Sequence, residues 1–449
     1  MPNFFVKKLY HEVLLDITPT HEEKKREREV VARVLNELKP HQVDPILVGS
    51  TAKDTDLSED KDIDVFIRFP PETDLPTLKL QGLKIGKQLF EKLGAEYEVD
   101  YAQHPYVKGT LDGFKVEIVP CYKGDKIKSS VDRTPQHTEY VKKRLQEKPH
   151  LKGDIRLLKR FMKAQNVYGA EEKVRGFSGY LLEVLVIYYG GFTETLKASS
   201  CWKTDEVIDP LSHWSDKKTL KYYFTNSDFI VIDPVDRDRN VAAAVSRQKL
   251  AEYIIHAREF LKNPSKKYFY PEKKQVKDGE TLKKMLKSRG TFFIAFKFTH
   301  EKLGENPLYG QLRKTESAIQ GAFEDEGFSV FKTSIQSDEE NTSIVLVELS
   351  VWSLPRIKHH LGPPVDAETR HQMRFHQKYE NENPYLKDGR WVVDTQRRYT
   401  HAREVAHKIM KEKAGFGKRF RQMKLEILCQ EEVVAAGGCG WLKHLTQYL

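Results

Sequence analysis

Cysteine is scarce in this chain of 449 residues. The four present, Cys121, Cys201, Cys429 and Cys439, are scattered with no Cys-x-x-Cys spacing. That pattern argues against a cysteine-bound zinc and a disulfide framework, and fits the cytoplasm. No apolar run approaches membrane-spanning length, and the start, Met1 to Lys8, lacks the long apolar stretch of a signal peptide, so no membrane partner is expected. Internal repeats, low-complexity tracts and an RNP1 motif are also missing, so base stacking on an RRM-type sheet is not supported. What the chain does have is charge of both signs, 75 Lys plus Arg against 65 Asp plus Glu, a net +10. Such an excess attracts polyanions such as RNA without identifying one. With 39% hydrophobic and 11% aromatic residues the chain can fold, and its length implies about three domains.

The most informative stretch is residues 49 to 67. Gly49-Ser50 follows the apolar run Ile46-Leu47-Val48, which predicts a strand ending in a tight turn whose N–H groups and hydroxyl could hold a triphosphate, with Lys53 nearby. In Asp62-Ile63-Asp64-Val65-Phe66-Ile67 the period is two, so Asp62 and Asp64 share one strand face. Their carboxylates would lie roughly 7 Å apart and repel by about 2 to 2.5 kcal/mol at an effective dielectric near 20. A divalent cation would reverse that cost. Residues 106 to 120 read as a hairpin turning at Asp112-Gly113, on which Glu117 is the candidate third carboxylate and Asp112 the fallback. Alone, Gly-Ser carries almost nothing and Asp-x-Asp on a strand is commonly a solvated edge. Together they point to metal-dependent phosphoryl transfer.

At these residues the chain resembles the polymerase-beta-like nucleotidyltransferase superfamily. Downstream, Val116 to Lys123, Val131 to Pro135 with His137, Lys173 to Tyr180, and Asp233 to Asp236 with Arg239 to Ala243 resemble the archaeal, class I CCA-adding enzymes, in order from about residue 46 to 245 and more thinly beyond. The resemblance implies metal-binding, catalytic acids at Asp62, Asp64 and Glu117. It implies nucleotide contacts at Ser50, Lys53, His137, Lys159 and Tyr168 as well as these acids, and a contact from Arg239 to the incoming base. It further implies two Mg2+ ions, CTP and ATP as substrates, and the acceptor end of tRNA as partner, and it is compatible with a homodimer. Two positions depart from the family: Lys53 stands where Arg is usual, exchanging a bidentate fork for a point charge, and Glu117 stands where Asp is usual. Each lesser residue keeps a plain alternative: His137 as a surface histidine, Tyr168 as packing, and Arg239 in a salt-bridge cluster.

The expected fold class is α+β multidomain: a nucleotidyltransferase head with a mixed sheet over 1–150, a mainly helical central domain over 151–263, and a C-terminal α+β body and tail over 264–449. Thr20 and Glu23 have capping-box spacing ahead of a helix ending near Pro40. A helix is expected around 80–93. In the next region Leu157, Leu158, Phe161 and Met162 mark an apolar stripe, and Arg156, Lys159 and Lys163 share a basic face, solvated or gripping a triphosphate. Tyr180 to Tyr189 should be a buried helix with Tyr188 and Tyr189 in the core. The Lys-rich stretch from Asn263 to Arg289 suits a connector. Strands at 291–298, 328–333 and 343–349 with a helix near 312–323 suggest a ferredoxin-like or RRM-like unit. Arg397-Arg398 and Lys418 to Arg421 are candidate phosphate contacts or solvated faces. The expected activity is addition of C, C and A to tRNA. Its rivals are a poly(A) or poly(U) polymerase with the same acids, a silent RNA-binding protein, and transfer to a smaller acceptor.

Overall fold

A computed structural model describes residues 4–101, 104–124, 127–225, 227–272 and 275–449. Met1, Pro2 and Asn3 of the start, and Lys273 and Lys274 of the Lys-rich stretch, lie outside them. The chain forms two compact units, Met1–Lys273 and Lys274–Leu449. Among the described residues no helix is long and apolar enough to cross a membrane.

The first unit opens with α1 (Phe4–Ile17) and α2 (His21–Leu38). The capping box of α2 forms: Glu23 N–H donates to the Thr20 hydroxyl, and Thr20 N–H donates to the Glu23 carboxylate. Then follow β1 (Asp44–Val48), α3 (Gly49–Lys53), β2 (Asp62–Phe69), α4 (Leu75–Lys92), β3 (Tyr97–Tyr101), β4 (Pro105–Leu111) and β5 (Phe114–Tyr122). They build a mixed sheet in the order β1-β2-β5-β4-β3, in which only the β2–β5 pair is parallel. Helix α4 starts earlier than expected because Asp74 caps it, accepting from Thr77 N–H, and a proline occupies its first turn. Between β4 and β5, Asp112 and Gly113 both take positive φ, 51° and 81°, the requirement of a two-residue type I′ turn.

Helices α5 (Arg133–Glu147), α6 (Leu151–Ala164), α7 (Gly179–Tyr189) and α8 (Phe192–Ser199) follow. Next come β6 (Val207–Ile208), α9 (Lys217–Tyr223), β7 (Ile230–Asp233), β8 (Asp236–Asn240) and α10 (Arg247–Lys262). Side chains from α1, α5, α6, α7, α8 and α10 share one core, in which the α6 stripe Leu157, Leu158, Phe161 and Met162 is buried. Helix α7 is capped by the Ser178 hydroxyl at its start and by Gly190, φ 84°, at its end. Tyr188 corrects the expectation of a core residue: it is 46% exposed, because the buried run of α7 stops at Val186. Tyr189 is partly buried, its hydroxyl accepting from Trp202 Nε1 at 3.2 Å.

The second unit contains α11 (Gly279–Ser288), β9 (Phe292–Thr299), α12 (Glu305–Asp325), β10 (Ser329–Ser337), β11 (Thr342–Val351) and β12 (Ile357–Pro364). These are followed by α13 (Thr369–Lys378), β13 (Tyr385–Lys387), β14 (Arg390–Gln396), α14 (Ala402–Glu412), β15 (Lys424–Cys429) and α15 (Cys439–Tyr448). The sheet order β10-β11-β9-β15, antiparallel throughout, with α12 and α14 as the two crossovers, is the ferredoxin-like arrangement. Strands β12, β14 and β13 form a separate three-stranded sheet inserted ahead of α14. Along β9 the side chains alternate: Phe292, Ile294, Phe296 and Phe298 join the core with α12 and α14, whereas Phe293 and Ala295 join Leu282, Leu286, Trp441 and Leu445 of α11 and α15. Both sheet faces are therefore covered, which accords with the missing RNP1 motif. Helix α11 corrects the connector reading: Asp278 caps it, accepting from Thr281 N–H, and Leu282 and Leu286 bury one face. In the basic segments, Phe420 is core and Arg397 donates to the Glu326 carbonyl, so neither is wholly a solvated face.

Candidate active site

The sheet register brings the acids together. Asp64 stands opposite Val48 of β1 and directly beside Glu117 of β5, while Asp62 stands beside Lys115. Gly49 takes φ 72°, and a Cβ there would lie 2.0 Å from Asp64 Oδ2, so the carboxylate occupies space that any other residue would fill. The Gly-Ser turn of the sequence reading is the first turn of the short helix α3 instead. Gly49→Ala should therefore displace Asp64 and lower nucleotide transfer on the order of a hundredfold, as expected for misplacing a reacting group by about 1 Å. Steady-state kcat beside a thermal melt checks it; full activity would show that Asp64 need not sit there.

Burial, reinforced by the charge of Asp62, raises the Asp64 carboxyl to about 6, with Lys53 and Lys159 pulling it back. Burial and the charge of Asp64 raise Glu117 to about 7. Two half-buried carboxyl groups side by side, neither in a salt bridge among the described residues, form an acidic wall, and the nearby cations are bound elsewhere: Lys108, opposite Glu117 on β4, pairs with Asp100 at 2.6 Å. Asp112, the fallback acid, lies instead in the hairpin turn, paired with Arg33.

The opposite wall is cationic and held by carboxylates of its own. Lys53 is buried and pairs with Glu183 of α7 at 2.6 Å, and the Thr55 hydroxyl donates to the other Glu183 oxygen at 2.8 Å. Lys159 and Lys163 both pair with Asp60, one on each oxygen, and Lys159 lies 5.7 Å from the Tyr168 ring centre. Arg156 is buried too, pairing with Asp54 at 2.7 Å and donating to the Asp56 carbonyl. This basic face of α6 is thus packed against residues 54–60 and is not solvated. His137 of α5 and Arg239 of β8 meet at Asp233, with Nε2 and NH1 at 2.8 and 2.7 Å from the same oxygen. The His137 ring stacks on Tyr180, centroids 3.7 Å apart.

A cleft of about 1030 Å³ runs between the walls. Ser50, Lys53, Asp62, Asp64, Glu117, His137, Lys159, Tyr168 and Arg239 all line it. Sequence reasoning missed Asp60, Glu183 and Asp233, the acids that hold the cations. Glu183 carried a usable signal, since it is the one charged residue in the apolar run of α7, and a buried charge needs a partner. Among the described residues no group of three His, Cys, Asp or Glu side chains draws close enough to hold a metal unaided.

Residues 28–147 match the nucleotidyltransferase domain, residues 153–270 the second domain of tRNA nucleotidyltransferase, and residues 289–429 the C-terminal domain of the CCA-adding enzyme. The CCA-adding enzyme of Methanosarcina mazei is 41% identical over 80% of this chain and 77% of its own. That of Methanothermobacter thermautotrophicus is 38% identical over 88% and 86%, and that of Archaeoglobus fulgidus 36% over 89% and 88%. Among solved structures, a Cid1 poly(U) polymerase with a UTP analogue has a TM-score of 0.48 at 16% identity, covering 60% of this chain and 98% of that one. With identities near 40% sustained over four-fifths or more of its length, the chain belongs to the CCA-adding enzyme family.

Proposed function

We propose that this chain adds C, C and A to the 3′ end of tRNA, taking CTP and ATP as substrates and releasing pyrophosphate. The observation that carries the reading is the cleft itself, where an acidic wall faces a cationic one across space sufficient for a nucleoside triphosphate. In this reading residues 1–150 are the catalytic head, 151–263 the nucleotide-binding neck and 264–449 the tRNA-binding body and tail.

Enzymes of the nucleotidyltransferase superfamily use divalent metal ions. The donors here fit magnesium: hard carboxylate oxygens, Asp64 and Glu117 half-buried side by side and in no salt bridge among the described residues, and Asp62 on the same strand face. That they do not close a cage alone suits an ion that takes one or two carboxylates and completes its shell with water and substrate phosphates. When bound, two such ions would supply activation of the attacking hydroxyl and neutralisation of the leaving group. Asp62, Asp64 and Glu117 would hold them.

In the reaction the 3′ hydroxyl of the RNA gives up its proton to solvent, its oxygen bonds to the α-phosphorus, and the bond from that phosphorus to the α–β bridging oxygen breaks, freeing pyrophosphate. Lys159, Lys53, Ser50 and Tyr168 bind the triphosphate, and His137 contacts the nucleotide. Arg239 meets the incoming base. The basic surfaces of residues 264–449 read the shape and phosphates of the acceptor stem, not its sequence.

The test uses tRNA lacking its terminus, with CTP and ATP supplied separately and together, and sequencing of the products. Acceptor stems of different sequence should gain C, C and A and then stop, with binding that weakens as salt rises. Long homopolymer tails, or preference for unstructured RNA, would reject this reading in favour of a poly(A) or poly(U) polymerase.

A further inference from the structure

Asp233 touches neither wall of acids nor the lysines, yet it is fully buried and its carboxylate takes four hydrogen bonds. Oδ1 accepts from the Tyr180 hydroxyl at 2.9 Å and from Val235 N–H at 3.1 Å. Oδ2 accepts from His137 Nε2 at 2.8 Å and Arg239 NH1 at 2.7 Å. The three side-chain donors come from α5, α7 and β8, so one carboxylate ties three elements together at the end of β7. Next to it, Asp236 accepts from Arg133 of α5 at 2.7 Å, which fixes the β7–β8 turn from a second side.

This arrangement settles two orientations. Arg239 NH1 also lies 3.2 Å from His137 Nε2, but both nitrogens point at Asp233 Oδ2, and an ionised carboxylate only accepts, so the shorter 2.8 Å contact places the His137 proton on Nε2 and leaves Nδ1 as an acceptor when the ring is neutral. Burial holds the His137 pKa below its ordinary value, favouring that neutral ring. Arg239 spends one terminal nitrogen on Asp233 and keeps the rest of its fork for whatever enters the cleft, which both residues line. A free arginine side chain would sample many rotamers; this one is anchored before substrate arrives.

We propose that Asp233 is a positioning residue for nucleotide selection, fixing the Arg239 guanidinium and the His137 tautomer so that the incoming base meets a rigid pattern of donors and acceptors. The inference rests on Arg239 and His137 facing the nucleotide, as in the proposed function. It goes beyond that reading by assigning discrimination between bases to a residue that contacts no base.

Asp233→Asn keeps the shape but puts an NH2 where four donors converge, so one pair of partners loses its acceptor. The expected result with full-length protein and tRNA lacking its terminus is a KM for CTP and ATP raised on the order of tenfold, the size of losing one charge-assisted hydrogen bond. kcat should stay within about threefold and UMP misincorporation should rise. Added to an Arg239→Ala, His137→Ala background, the same change should do nothing further, since it acts through those two. An unchanged KM in folded Asp233→Asn, beside a raised KM in Arg239→Ala, overturns the proposal alone. An unchanged KM in Arg239→Ala overturns the nucleotide role of Arg239 and the proposal with it. Should Asp233→Asn fail to fold, Tyr180→Phe carries the test: it keeps the ring stack and removes one donor to Asp233. Its KM should rise about threefold, and an unchanged value overturns the proposal.

Discussion

Asp64→Ala should abolish nucleotide transfer, by on the order of a thousandfold or more, while leaving the fold intact or strengthening it. The carboxylate is proposed to hold magnesium, and charge stabilisation by a bound ion contributes several kcal/mol to such a transition state, with about 1.4 kcal/mol for each tenfold in rate. Its effect on stability has the opposite sign. Without bound metal, burial and the neighbouring Asp62 charge push the Asp64 carboxyl up to about 6, from an ordinary 3.8. An acid raised in this way binds its proton more tightly folded than unfolded. Its ionisation therefore costs the fold stability as pH rises past the unfolded value, and the full cost is present above about 6. Metal-free Asp64→Ala at pH 8 should accordingly melt no lower than wild type, even though it is inactive. Turnover near the wild-type rate would remove the basis of the site assignment. A sharply lowered melting temperature would show that Asp64 belongs to the structural framework.

At Glu117 charge should matter more than arm length. Glu117→Asp keeps an anion in the register position beside Asp64 and should retain activity within about tenfold, even though the shorter arm reaches less far into the cleft. Glu117→Gln keeps the length and loses the charge, and a neutral amide is a poor magnesium ligand. Transfer should fall on the order of a hundredfold or more. Rate measurements across a magnesium titration separate the two, since the Asp variant should recover with more metal and the Gln variant should not. Equal rates for Gln and wild type would point to another third ligand, and Asp112, exposed and bound to Arg33, is poorly placed to be one.

Local signals were the legible ones. The alternation around Asp62 and Asp64, the Asp112-Gly113 turn and the Thr20–Glu23 box each depend on residues within a few positions, and each appears in the fold. The ferredoxin-like unit could be anticipated from the order of its elements, strand, helix, then two more strands, each marked by its own apolar run. The partners of the acids that hold the cations could not: Asp60, Glu183 and Asp233 reach Lys159, Lys53 and His137 across long stretches of chain, and although Glu183 stands out as a charge in an apolar run, no spacing rule says which cation it meets. Helix α11 was hidden by lysines that dilute its two buried leucines, and the inserted β12-β14-β13 sheet by strands that bury few of their residues. Tyr188 was misread for the opposite reason: a run apolar all round gives no sign of which face its last turn shows to water.

The parallel pairing of β2 with β5 also sets an order in time. Asp64 and Glu117 become neighbours only after the chain has passed through α4, β3 and β4 and returned, the one connection in this sheet that no tight turn can make. Closing so long a loop is entropically costly until the intervening elements are in place, and such contacts form slowly. During synthesis α2 and α4 can coil as soon as they emerge, whereas the reactive pair must wait for β5. A shortened chain lacking that strand would keep Asp62 and Asp64 yet lack the Glu117 that completes the acidic wall.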